Sequence, residues 1–145
     1  MATKSSRSNP RYSKAKGRKL QNLLRDKLRV AFPSLEDDDI KSQTMGMPGE
    51  DIVLSPAARR KIPYSFECKN VERLSFWATV EQCEANCKDN VSPAIVVKKN
   101  RKDPMVAIPL DEFIELIKES DEKRKSWPKW WQKTLEQSNE RVRAY

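Results

Sequence analysis

Asp51-Ile52-Val53-Leu54, followed after a short basic loop by Tyr64-Ser65-Phe66-Glu67-Cys68-Lys69-Asn70, is the stretch from which both fold and chemistry are read. Both segments read as short apolar strands. Successive side chains of a strand point to opposite faces, so Glu67 and Lys69 project together while Cys68 points the other way. An Asp on one strand, with a Glu and an ammonium on the next, suits Mg²⁺-dependent phosphodiester hydrolysis. The two acids hold a hard cation through oxygen, and the lysine positions or polarises the attacking water. The bland alternative is that Asp51 and Glu67 are edge acids in surface salt bridges and Lys69 a solvated strand lysine.

Working outward, 145 residues suit one domain with flexible or helical ends. The chain carries 29 Lys+Arg against 21 Asp+Glu, a formal charge of +8, which favours a polyanionic partner. Hydrophobic residues make up 37% and Gly is scarce, so a modest core with charged flanks is expected. No apolar run approaches the roughly 20 residues that span a bilayer. Without the apolar region of a secretory signal, export is not expected. Three cysteines, an odd number in regular segments, fit a reducing cytosol, so the expected location is cytoplasmic. Histidine is absent. That excludes Ser-His-Asp and Cys-His hydrolases, His-ligated zinc enzymes and nucleases with a histidine base.

Along the chain, residues 1–13 read as a disordered basic arm. Residues 14–32 form a basic amphipathic helix, with Leu20, Leu23, Leu24, Leu28 and Val30 at mostly helical spacing, stopping before Pro33. An acidic turn at 36–39 precedes a possible short strand at 41–45, and Gly46-Met47-Pro48-Gly49 signals a turn into the Asp51 strand. Ser55-Pro56 reads as N-cap and first position of a helical turn. A helix is predicted over 72–88, its apolar surface supplied by Leu74, Trp77, Ala78, Val80 and Ala85. Strands are predicted at 94–97 and 105–108, and a helix over 110–118 with Phe113, Ile114 and Ile117 on one side. The fold class is therefore α/β, with a mixed sheet of about four or five strands flanked by helices. The nuclease-type domain spans 14–119. The tail, 120–145, holds Trp127, Trp130 and Trp131 among Lys125, Lys129 and Lys133. It reads first as a terminal helix docking its tryptophans, and alternatively as a nucleic-acid contact.

In these residues the chain resembles the PD-(D/E)xK nuclease superfamily, whose core has a helix, a three-stranded meander, a second helix and a further strand. Asp51 and Glu67-Cys68-Lys69 match its motif, and Pro48 precedes Asp51, though not as an adjacent pair. More narrowly, the chain is similar to phage-encoded, Holliday-junction-resolvase-like endonucleases. The matching pieces are Lys16-Gly17-Arg18, Gly49-Glu50-Asp51-Ile52, Glu67-Cys68-Lys69-Asn70, Trp77 and Gln82, within residues 14–118. The resemblance implies a restriction-endonuclease-like core, a phage or prophage origin, a host-cytoplasm location, and cleavage leaving 5′-phosphate and 3′-hydroxyl ends. Many resolvase-like members carry a further metal-shell Glu on the first helix. This chain offers Gln21 there, a weak ligand, or else acids of 36–39 that are equally a solvated turn.

The expected roles follow. Asp51 and Glu67 ligate Mg²⁺, for which Mn²⁺ can substitute, joined by the Cys68 carbonyl and phosphate oxygens. Lys69 orients or activates the water and stabilises developing charge. Gln82 holds a water or a phosphate, or is a surface glutamine. Arg18, Lys19, Arg25, Lys98, Lys99 and Arg101 are candidate DNA-backbone contacts. Cys68, Cys83 and Cys87 make a poor zinc set and read as structural cysteines. The expected function is a Mg²⁺-dependent DNA endonuclease acting on branched DNA, as a homodimer matching the junction's two-fold symmetry. A nicking or restriction-like nuclease on plain duplex is the nearest variant. A non-catalytic DNA-binding or recombination accessory protein is the rival class.

Overall fold

Asn9 caps the first helix, α1 (Pro10–Ala31), its Oδ1 accepting the Arg11 N–H at 3.0 Å, with Pro10 in the first turn where no N–H is needed. In this computed structural model, residues 9–88, 90–126, 128, 129 and 133 are described. The helix thus begins four residues before the predicted start, and 10–13 belong to it rather than to a disordered arm. It stops at Phe32, whose N–H bonds the Leu28 carbonyl and which Pro33 biases away from helical backbone. Leu20 and Gln21 are its buried residues, and Leu24 and Leu28 pack against the core. Leu23 and Val30, predicted on the apolar face, are 38% and 81% exposed.

After a short 3₁₀ turn come β1 (Ile40–Ser42) and β2 (Ile52–Leu54), an antiparallel pair with Ile40 opposite Leu54. Ser55 then starts α2 (Pro56–Lys61), its Oγ accepting the Ala58 N–H at 3.2 Å. The second sheet holds β3 (Tyr64–Asn70), β4 (Ser92–Lys98) and β5 (Met105–Ala107) in that order, with β3 parallel to β4 and β4 antiparallel to β5. Between β3 and β4 lies α3 (Phe76–Asn86).

The fold is α/β; among the described residues five strands form two sheets, two-stranded and three-stranded, where one mixed sheet was expected. The reason lies at Asp51. Its N–H bonds the Phe66 carbonyl at 2.9 Å, which begins a ladder between β2 and β3. Its carbonyl, however, accepts from Gln43 N–H at 2.8 Å, so the Cys68 N–H turns to the Asp51 side chain instead. A carboxylate stands in for the missing ladder acceptor.

The core forms where α1, β1, β2 and α2 meet the face of β3 and β4 that carries Phe66, Cys68, Ala94 and Val96. Leu20, Ile40, Ile52 and Ala58 are each at most 2% exposed there. The opposite face of β3, with Ser65 and Glu67, lies under α3, where the Cys83 thiol meets the Ser65 carbonyl at 3.4 Å. Covered on both faces, residues 65–68 are all buried, the pattern of a strand inside an α/β layer.

α3 is shorter than the predicted 72–88 because its entry is claimed elsewhere. The Val71 N–H extends the pairing with β4 by bonding the Lys98 carbonyl at 3.0 Å, and Glu72 caps the Asn100 N–H at 2.8 Å. Its buried residues are Thr79 and Cys83, not the predicted apolar set, and Trp77 is 73% exposed. Thr79 is tolerated inside because its hydroxyl bonds the Ser75 carbonyl at 2.8 Å.

The chain divides into two compact units, Met1–Pro109 and Leu110–Tyr145. In the second, α4 (Leu110–Lys125) runs past the predicted end at 118, opening on Asp111 and Glu112 and closing on Lys123, Arg124 and Lys125. That order complements the helix dipole, and the Lys125–Asp121 pair at 2.8 Å adds local support. Trp127, Trp130 and Trp131 lie outside the described residues. Among the described residues, no helix is long and apolar enough to cross a membrane.

Candidate active site

In β2 and the two residues before it, alternation puts Glu50, Ile52 and Leu54 inward and leaves Asp51 on the other side. Asp51 thereby enters a cleft of about 570 Å³ between α1, the 45–49 turn, β3 and α3. Gly46 and Gly49 carry φ of +83° and +108° in that turn, where a side chain would be strained. Asp51, Glu67, Cys68, Lys69 and Gln82, all singled out in the sequence, line this one cleft together with Gln21.

The polar contacts form a chain. Asp51 Oδ2 accepts the Cys68 N–H at 2.6 Å, and Oδ1 accepts Gln21 Nε2 at 2.7 Å. Lys69 Nζ lies 2.7 Å from Glu67 Oε1 and donates to Gln82 Oε1 at 3.0 Å. Gln82 therefore orients Lys69 in this state. Gln21 is 5% exposed, and among the described residues its Oε1 has no hydrogen-bond partner. An orphaned buried oxygen is costly unless something occupies it.

Burial pushes the Asp51 carboxyl above the usual carboxylate range, outweighing the Cys68 N–H, the Gln21 amide and the Lys69 charge that pull it down. Burial also raises Glu67; Lys69 opposes this, and the charge of Asp51 adds to it. Each acid thus binds its proton more tightly in the folded than in the unfolded chain. Their ionisation opposes folding: the stability they contribute is full below the unfolded pKa and is lost as pH rises through the folded values. Asp51→Asn, whose Oδ1 can accept the Cys68 N–H while its Nδ2 donates to Gln21 Oε1 once that amide turns over, should therefore be more stable than the wild type at pH 7, with the gain fading toward pH 4. Urea midpoints at the two pH values measure this. A variant less stable at pH 7 would mean that the ionised carboxylate is net favourable.

The donor set fits a hard divalent cation in part. Two carboxylates and the orphaned Gln21 oxygen suit such an ion by chemistry. Among the described residues, though, no group of three or more His, Cys, Asp or Glu comes together to hold a metal. The acids at 36–39 do not serve here. Asp39 caps the 3₁₀ turn and accepts from the Ser55 hydroxyl at 2.5 Å, which holds its carboxyl below the usual range, while Asp38 pairs with Lys41 at 2.9 Å.

Two supports were not legible as site residues. Glu50 is 7% exposed and held by Arg59 Nη2 at 2.9 and 2.7 Å, while Arg59 Nη1 bonds the Tyr64 carbonyl at 2.6 Å. This clamp ties the residue before Asp51 to the start of β3. Its signal was the alternation, which puts Glu50 on the core side and so demands a cation. Asn86, on α3, donates to the Gly49 carbonyl at 3.3 Å.

The candidate DNA contacts are placed variously. Arg18 donates to the Gln43 carbonyl at 2.7 Å, tethering α1 to the strand beside Asp51. Arg25 pairs with Asp26 at 2.8 Å and bonds Asn22 at 3.1 Å, and Lys19 and Arg101 are exposed. Lys98 and Lys99 line a second groove that also includes Lys69. Cys68 and Cys83 are buried and Cys87 half-buried, all three free; burial raises the Cys68 thiol and pushes Cys83 up to about 12, so neither is a reactive thiolate. Comparison with protein-family models, with curated protein sequences and with solved structures returns no match, so the geometry of this cleft stands where a family would.

Proposed function

We propose that this chain is a divalent-metal-dependent DNA endonuclease of the PD-(D/E)xK type, with a restriction-endonuclease-like core, acting on branched DNA. The observation that carries the reading is the meeting of Asp51, Glu67 and Lys69 in one cleft with the orphaned Gln21 oxygen. The formal charge of +8 suits the substrate.

Asp51, Glu67, the Gln21 amide oxygen and the Cys68 carbonyl would hold Mg²⁺ or Mn²⁺. When bound, the ion supplies Lewis-acid stabilisation of the phosphate and lowers the pKa of a coordinated water. Lys69, braced between Glu67 and Gln82, presents its ammonium to the attacking water or to a phosphate oxygen, where charge develops during in-line displacement. Glu67 keeps Lys69 from rotating away, and Gln82 sets its direction. Water attacks phosphorus and the 3′-oxygen leaves, giving 5′-phosphate and 3′-hydroxyl ends. A junction's two-fold symmetry makes a homodimer the natural assembly.

The shortage of acids favours a second reading, a non-catalytic DNA-binding or recombination accessory protein that keeps Asp51 and Glu67 for structure. Labelled four-way junction and matching linear duplex, each incubated with Mg²⁺ or with EDTA, discriminate the two. Cutting of the junction only with Mg²⁺ is expected. Equal cutting of both substrates would keep the nuclease and discard branch selectivity. Binding without cutting in Mg²⁺ or Mn²⁺ would leave the accessory protein.

A further inference from the structure

The register of the three-stranded sheet sets Lys69 opposite Val97, and Val97 opposite Met105, so these three side chains form a row across β3, β4 and β5. The row lies on the face that carries Glu67. Helix α3 covers that face only from Phe76 onward, and the non-helical residues before it leave the end of the row open. The result is a groove of about 400 Å³, with Val71, Leu74, Val97 and Met105 as its apolar surface. Its volume is in the range of small-ligand sites. Met105 is 68% exposed and Val71 39%, so apolar surface faces water here.

Lysines surround this surface. Lys69, Lys98, Lys99 and Lys102 line the groove against Glu72 and Asp103. Glu72 is already engaged: it accepts the Asn100 N–H at 2.8 Å, which holds its carboxyl below the usual range, and lies 3.5 Å from Lys16. Lys98 donates to the Lys102 carbonyl. Among the described residues, the ammonium groups of Lys99 and Lys102 have no hydrogen-bond or ion-pair partner.

We propose that this groove holds an unstacked nucleobase next to the scissile phosphate, an inference that rests on the nuclease reading. The occupant must offer a flat apolar face to Val97, Leu74 and Met105 and negative charge to the lysines. A nucleotide does both. Continuity fixes the placement, because Lys69 lines the groove and the candidate active site alike. A base seated here has its own phosphate beside Lys69. In intact duplex the base faces are stacked and cannot enter, so the groove selects strands with an unpaired nucleotide at a branch, flap or gap. Unstacking costs least where the base has already lost its partner.

The test uses full-length protein in EDTA, where nothing is cut. Its probes are a fully paired duplex and the same duplex with one unpaired 2-aminopurine, alongside the Met105→Glu and Leu74→Ser variants. Met105 is exposed, so its replacement leaves the core intact. The unpaired probe should bind about tenfold tighter than the paired duplex, the scale of burying roughly 55 Å² of apolar surface. Its fluorescence should brighten, since among the described residues no aromatic side chain lines the groove to quench it. Met105→Glu should erase the preference and the brightening and also weaken duplex binding, by setting a carboxylate among the lysines, whereas Leu74→Ser adds no charge and should erase the preference alone. Equal affinity for both probes, or a preference that both variants retain, overturns the assignment. Preference without any cutting in Mg²⁺ supports the groove and sinks the nuclease. Cutting without preference does the reverse.

Discussion

Lys69→Ala should lower the metal-dependent cutting rate about 100- to 10 000-fold, the scale at which one positioned proton-transfer or charge-stabilising group acts, with DNA affinity nearly unchanged. Lys69 is the cation that both Glu67 and Gln82 hold in place, at 2.7 and 3.0 Å. Removing it takes away the group aimed at developing charge and leaves Glu67 buried without its partner. Glu67 loses the contact that opposes its burial, so its carboxyl rises further. The residual activity of the variant should therefore climb with pH over a higher range than that of the wild type. Lys69→Arg separates the two roles. If charge alone matters, arginine restores much of the rate; if Lys69 must give up a proton, it does not, because guanidinium stays protonated. A Lys69→Ala protein that cuts at the wild-type rate would remove Lys69 from the chemistry.

Glu50→Ala is expected to cost about 3–5 kcal/mol of stability, the range for removing one partner of a buried ion pair. Arg59 would keep its bond to the Tyr64 carbonyl but lose both carboxylate contacts while only 19% exposed. Against a total stability of roughly 5–15 kcal/mol, such a loss is a large fraction. The melting temperature should fall by roughly 10–20 °C for a unit of this size. Lys88, 3.8 Å from Glu50 but 73% exposed, contributes little by comparison. The double replacement Glu50→Leu with Arg59→Met should cost less than either single change, because no charge is left buried alone. A shift of only a degree or two for Glu50→Ala would mean that water reaches this pair.

Much of the architecture was readable because local chemistry marks it. Ser55-Pro56 carries its own starting signal and Pro33 a stop, whereas the start at Asn9-Pro10 was missed because the basic residues around it read as a disordered arm. β3 was found because its apolar residues Tyr64, Phe66 and Cys68 alternate with Ser65, Glu67 and Lys69. The misreadings came where a distant partner decided. The start of α3 moved because Val71 and Glu72 bond β4 and the turn after it. Leu23 and Val30 looked like core by spacing, but the core reaches only the stripe of Leu20, Leu24 and Leu28.

The sequence by itself determined the strand that carries Glu67 and Lys69 on one face, the absence of histidine chemistry and the basic balance, since each follows from residue type and a period of two. Only the tertiary structure decided that Gln21 sits buried against Asp51, that the Asp51 carboxylate replaces a ladder bond and so divides the sheet, and that Arg59 neutralises Glu50. It alone opened the groove beside Lys69, where cross-strand register and the late start of α3 meet. These are pairings between residues far apart in the chain. No periodicity encodes them, because they depend on which buried polar groups find each other once the core has closed.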